Sequence, residues 1–177
     1  MNGDAEGATP GEEPAVTREE FASLLHRMTE AAEAGDGERF AACFTADAVY
    51  HDYIYGDHRS RAEIARMLEG MFHRDAAEYR WEMFDPVCDG ALGYAWSLSS
   101  FTSKIPEFAG RGVVIDGMSR FELRDGLIAD YSESVNGGVA MAQLGVAAPR
   151  LEKVLQRWAR ELRERPAVAA YLARANR

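Results

Sequence analysis

His51 and His58 flank Asp52 and Asp57 in the run HDYIYGDH. Imidazole and carboxylate groups bind metals, but this spacing matches no standard ligand motif, and surface histidines give the same pattern. We therefore expect no metal, with His26 and His73 on the solvent-facing sides of helices. Other familiar devices are missing. Gly110-Arg111-Gly112 is a turn rather than a phosphate loop, and there is no G-x-S-x-G and no H-E-x-x-H. What remains is carboxylates, hydroxyls and aromatic side chains. They do chemistry when a fold walls them into an apolar cup, because burial raises the pKa of an acid until it carries protons near neutrality. The sequence calls for no cofactor.

Composition limits the partners. The chain has 177 residues, enough for one domain with an appendage, and 47% are hydrophobic, which supports a real core. Net charge is −9 with a pI near 5.0, which argues against nucleic acid or an anionic membrane surface as partner. The charge is uneven: residues 150–177 carry +5, and residues 17–149 carry −10. No apolar run approaches the ~18 residues of a membrane span. Cys43 and Cys88 fit no zinc or redox spacing. Without a basic, apolar leader the expected location is cytoplasmic.

The elements that must position such a cup can be read in order. Residues 1–16, rich in Gly and Pro, read as a disordered leader. Thr17 and Glu20 form a capping box ahead of Phe21, Leu24, Leu25 and Met28, one helical stripe. Gly35-Asp36-Gly37 ends that helix and opens a second over 37–44. Residues 47–54 read as a short strand. Ser60 and Glu63 read as another capping box, before the stripe Ile64, Met67, Leu68, Met71 and Phe72. From 77 to 137 the helical period disappears, and runs at 77–87, 91–104, 111–123 and 127–136 read as strands. Asp89-Gly90 and Asp125-Gly126 mark hairpin turns. Beyond Gly138 the stripe Leu151, Val154, Leu155, Trp158 and Leu162 predicts a helix, broken at Pro166 and expected to pack on the body. The order gives an α+β fold.

Residues 34–52, AGDGERFAACFTADAVYHD, resemble the opening of the nuclear-transport-factor-2-like superfamily. That group includes ketosteroid isomerase, limonene epoxide hydrolase and the SnoaL-like polyketide cyclases. Arg61-Ala62-Glu63-Ile64 and the hairpin Phe121-Glu122-Leu123-Arg124-Asp125-Gly126-Leu127-Ile128 continue the likeness. It covers about 17–137 and implies a cone: a highly curved antiparallel sheet packed on three N-terminal helices, closing an apolar pocket. Here the cone domain (17–137) carries a helical C-terminal extension (138–177).

The resemblance also implies site residues. Asp52 falls where the isomerase has its general base; the competing reading is an acid that ties down the following loop. Met28 and Ser119 fall at the isomerase's oxyanion-hole positions, and Ser119 also at a cyclase histidine. Glu133 falls where the hydrolase has a pocket aspartate, and strand alternation puts Tyr131 on its face. The hydrolase's Arg-x-Asp has no match in YAWSLSSF, 94–101. The implied catalytic set is Asp52, Glu133, Tyr131 and Ser119, in a pocket with Met28, Tyr50, Ser99 and Phe121. The expected function is a SnoaL-like enzyme using cofactor-free acid/base chemistry, as an isomerase, cyclase or dehydratase, on a small apolar or polycyclic ligand. The alternative is a non-catalytic binding module of the same fold. Tyr94, Trp96 and Leu98 fall on the outer sheet face, through which the family often forms homodimers; a Trp96 packed in the core is equally compatible.

Overall fold

The computed structural model describes residues 15–175. Thr17 caps α1 (Arg18–Ala34) as expected: its Oγ1 accepts from the Glu20 N–H, and the Glu20 carboxylate accepts from the Thr17 N–H. Gly35, left-handed at φ 70°, ends the helix. The stripe Phe21, Leu24, Leu25 and Met28 is wholly buried. Residues 1–14 of the expected leader lie outside the described residues. Its last residue does not behave as leader: Val16 packs against the core, and the Cys88 thiol donates to its carbonyl at 3.4 Å.

The second helix is shorter than expected. α2 (Gly37–Ala41) gives way at Phe44 to β1 (Phe44–Asp52), because Phe40 and Phe44 both find the core without a further helical turn. A turn at 53–55 returns the chain as β2 (Gly56–Arg59), a strand with no apolar alternation to announce it. Ser60 makes no capping bond. At φ 83° its side chain points away from the next turn, and Glu63 accepts instead from the Arg59 N–H at 2.7 Å. α3 (Arg61–Met67) runs through a π-turn (Leu68–Phe72) into the one-turn α4 (His73–Asp75). His73 is half-buried rather than solvent-facing, bonded to the Ala32 carbonyl at 2.7 Å.

The meander follows: β3 (Ala76–Cys88), β4 (Leu92–Ser103), β5 (Gly112–Arg124) and β6 (Leu127–Val135). Asp125 and Gly126, at φ 55° and 72°, supply the two left-handed residues of the last hairpin. The sheet order is β2-β1-β6-β5-β4-β3. All neighbours are antiparallel except β1 and β6, which run parallel. The result is the α+β cone, a curved, unclosed six-stranded sheet with helices in its concavity and a helical extension. Gly93 lets α1 approach: a Cβ there would lie 2.5 Å from the Phe21 ring, which packs edge-on against Phe121 at 5.3 Å.

Two bulges bend β3. At Ala77–Arg80 two residues oppose one, with Glu78 left-handed at φ 55°; at Phe84–Val87, Asp85 is left-handed and precedes Pro86. Proline fits because β3 is an edge strand.

The extension comprises α5 (Gly137–Gln143), α6 (Ala148–Glu164) and α7 (Pro166–Ala175). It packs less tightly than its stripe predicts. Leu151, Val154 and Trp158 are half-buried, Leu155 and Leu162 are exposed, and no residue of α6 or α7 is fully buried. Trp158 docks edge-on to Tyr53 at 4.8 Å and lies over Gly137. Among the described residues, no helix is long and apolar enough to cross a membrane.

Trp96 faces outward. It lies tilted against Phe84 with centroids 4.9 Å apart and sits beside Met118, within an exposed apolar row that includes Tyr94 and Val87.

Candidate functional site

β1 delivers Tyr50 and Asp52 to the inner face of the sheet. From Asp52 the chain turns, and the carboxylate accepts from the Ile54 and Tyr55 N–H groups at 2.7 and 2.5 Å. Asp52 thus ties down its loop and also borders a cavity of about 340 Å³. Glu133, on the parallel neighbour β6, borders the same cavity. Tyr50 and Ser99 line it as well.

Tyr131 and Ser119 lie below the cavity floor, both with no exposed surface. Tyr131 Oη donates to Glu133 Oε2 at 2.9 Å and lies 3.1 Å from Ser119 Oγ. The Tyr131 ring stacks on Tyr50 at 4.4 Å. Neither Tyr131 nor Ser119 lines the cavity. Met28 and Phe121, expected on the pocket wall, are core residues with no exposed surface. The reason is axial. Phe121 lies six residues beyond the cavity-lining Ile115 on β5, roughly 20 Å at the ordinary strand rise. Phe121 and Met28 share the filled part of the core, where α1 packs.

Several cavity residues were not anticipated. Phe72, Tyr79 and Trp81 form a wall of successive rings from the π-turn and β3, with centroids 6.0 and 6.3 Å apart. Trp81 Nε1 donates to Ser97 Oγ at 2.8 Å. Tyr55 extends the wall, 5.7 Å from Phe72, with its hydroxyl on Asp75. The extension closes the far side with Leu144, Val146 and Val154. A wider cleft of about 670 Å³ lies between the β1–β2 turn and α6, and meets the cavity at Asp52 and Glu133.

His51 and His58 do not share a site. His51 pairs with Asp57 and Asp130 at 2.7 and 3.1 Å. His58 sits opposite Tyr50 in the β1–β2 ladder, one register step from His51, so the two imidazoles face opposite sides. His58 is buried, and its Nε2 has no hydrogen-bond partner among the described residues. No group of three or more His, Cys, Asp or Glu side chains among the described residues could hold a metal ion.

The electrostatics follow from this placement. Burial pushes the Glu133 carboxyl up to about 7, and the neighbouring Asp52 charge adds to the rise against the Tyr131 hydrogen bond. Burial also raises Asp52, offset in part by the two turn N–H groups and by His58. Tyr79 and Tyr131 are held well above the ordinary phenol value, by burial first and then by Glu133. Both phenols stay protonated donors. The site therefore holds one acid that titrates near neutrality, a second carboxyl beside it, and an apolar space over both.

Solved structures share this architecture. TsrD from Streptomyces laurentii superposes with a TM-score of 0.65 at 18% identity, over 75% of this chain and 99% of its own. An LEH-like epoxide hydrolase of M. tuberculosis gives 0.59 at 17%, over 72% and 90%. A putative polyketide cyclase from Xanthomonas campestris gives 0.59 at 24%, over 72% and 98%. At such identities the likeness establishes the fold. A search of curated protein sequences finds no match. The family model of the SnoaL-like domain matches residues 25–131, from the middle of α1 into β6, a stretch that includes Asp52 and ends just before Glu133, and the chain belongs to that family.

Proposed function

We propose that the protein is a small-molecule enzyme that moves protons without a cofactor, by isomerisation, cyclisation or dehydration of a small apolar cyclic substrate. The observation that carries this reading is Glu133: an acid raised to about 7, beside Asp52, on an open apolar cavity. A binding module needs only the walls. Two desolvated acids on one cavity supply a base and an acid together, which proton transfer requires. Asp52 removes a proton from the substrate, and Glu133, oriented by Tyr131 and Ser119, returns one. Neighbours of this fold that are named as a putative polyketide cyclase and an epoxide hydrolase support the class of enzyme.

Carbon–deuterium exchange across a panel of model compounds tests the reading. Cyclic ketones and β-dicarbonyl compounds of one to three rings are incubated with the protein in D2O and followed by NMR. Wild type should accelerate exchange at an activated C–H on at least one of them. Asp52→Asn should lower that rate by about 100-fold or more, while its side-chain oxygen still accepts the two turn N–H bonds. Exchange that survives Asp52→Asn overturns the assignment. Absence of exchange with every compound favours the binding module.

The same proposal includes a homodimer through the outer sheet face. Tyr94, Trp96 and Met118 are 38%, 42% and 49% exposed and form one apolar patch, which a second copy would cover. Light scattering should give twice the chain mass at micromolar concentration. Trp96→Glu should give the single mass with an unchanged circular dichroism spectrum. A monomeric wild type sinks this part.

A further inference from the structure

We infer that the cavity selects a protonated amine: a ring-bearing ligand whose ammonium nitrogen lies between Asp52 and Glu133 and the ring faces of Phe72, Tyr79 and Trp81. This rests on the reading of the cavity as the ligand site and adds the chemical class of what enters it.

The first argument is the wall itself. Phe72, Tyr79 and Trp81 follow one another at 6.0 and 6.3 Å, and each lines the cavity. A regular strand running on from Ala76 could not make this wall. Ala76 and Tyr79 are three residues apart, so strict alternation would send them to opposite faces, yet both border the cavity. The bulge at Ala77–Arg80 removes the conflict, at the cost of a left-handed Glu78 with φ 55°. Backbone strain is thus retained where it turns one more aromatic ring inward. Adjacent rings alone would suit any apolar ligand. Ring faces are also electron-rich, and they attract a cation within about 6 Å of the centroid.

The second argument is the balance of charge around the space. Among the described residues its charged lining groups are Asp52 from β1, Glu133 from β6, Asp75 from α4 and Arg150 from α6. Two of these are already engaged. Asp75 is held by Arg74 at 2.6 Å and by the Tyr55 hydroxyl, and Arg150 is held by Glu107 at 2.6 Å with its guanidinium over Phe108. The other two are both acidic: Asp52 accepts the Ile54 and Tyr55 N–H groups and feels the charge of His58 of β2, and Glu133 accepts the Tyr131 hydroxyl, but neither forms an ion pair among the described residues. An anionic ligand would be repelled. A neutral one would leave both carboxyls desolvated. An ammonium group supplies the countercharge that neither acid has.

Two probes of nearly equal shape separate this inference from the reading beneath it. N,N-dimethylbenzylammonium carries the charge, and isobutylbenzene replaces its nitrogen by carbon. Binding is followed at pH 7.5 by tryptophan fluorescence, with Trp81 in the wall, and by calorimetry. The cation should bind about tenfold more tightly than the hydrocarbon. Asp52→Asn and Glu133→Gln should each reduce that preference, by weakening the cation relative to isobutylbenzene. Phe72→Leu, which keeps both acids, should weaken the cation several-fold. Repeated at pH 6, where Glu133 with a carboxyl raised to about 7 is mostly protonated, the heat of cation binding should also vary between phosphate and imidazole buffers, because the ammonium expels that proton. Equal affinity for the two probes, or a preference that survives both acid substitutions, overturns the inference and leaves an apolar ligand cavity. Binding of neither probe overturns both the inference and the cavity reading.

Discussion

Glu133→Gln should be more stable than the wild type by about 3 kcal/mol at pH 8.5 and no more stable at pH 4. The folded carboxyl is raised from the ordinary 4.5 to about 7. Below pH 4.5 it is neutral in both the folded and the unfolded chain, so it does not bias the equilibrium. Between 4.5 and 7 the unfolded chain releases the proton and the folded chain keeps it, so wild-type stability falls as pH rises. Above 7 both forms are ionised and the penalty stays constant. Glutamine has no such titration, and its side-chain oxygen still accepts the Tyr131 hydroxyl. The difference between the two proteins therefore opens across the window from 4.5 to 7. Urea unfolding at pH 4, 5, 6, 7 and 8.5 measures it. Parallel curves would show that Glu133 is solvated and that the acid half of the mechanism has no basis.

The distinction matters because the sequence allowed two places for this residue. Behind the Asp125-Gly126 turn, alternation put Glu133 on the same face as Tyr131, and the structure places both on the inner side. That face was legible because a hairpin with two left-handed turn residues fixes register, and register fixes side-chain direction. The capping box at Thr17 and the stripe beneath it were legible for the same local reason. What the sequence hid was not local. β2 has no apolar alternation, since its role is to pair with β1 and bury His58 alone. Ser60 carries the letters of a cap but not the backbone angle. Met28 and Phe121 belong to the right fold and the wrong depth, because a motif fixes a strand and not how far along it the cavity opens. The bulge at Glu78 interrupts the alternation that would have announced Tyr79 and Trp81. The extension's stripe overstated its burial, because half of that face borders open cleft rather than protein.

Trp81→Ala should cost about 3–5 kcal/mol, the largest loss expected from any single ring of the cavity wall. Trp81 is only 3% exposed and belongs to both the wall and the core. One side of the indole lines the cavity. The rest packs against Phe40 at 6.4 Å and edge-on to Tyr131 at 6.2 Å, the residue that holds Glu133. Its Nε1 donates to Ser97, whose own exposure is 5%. Removal therefore leaves a void against close-packed rings and a hydroxyl with no partner. Phe72→Ala should cost clearly less, because Phe72 is half-buried and gives onto the cavity without a comparable polar bond. Trp81→Phe separates the two contributions: it keeps most of the packing and loses only the bond to Ser97, for about 1–3 kcal/mol. Thermal and urea unfolding of the three variants should rank Trp81→Ala as most damaging, with Trp81→Phe well short of it. If Trp81→Ala and Phe72→Ala cost the same, Trp81 is wall alone. The coupling from the cavity through Tyr131 to Glu133 would then be lost, and Trp81→Ala would leave the titration of Glu133 where it was. If the coupling holds, the same variant admits water beside Tyr131, lowers the Glu133 carboxyl toward its ordinary value, and shifts the pH dependence of stability downward with it.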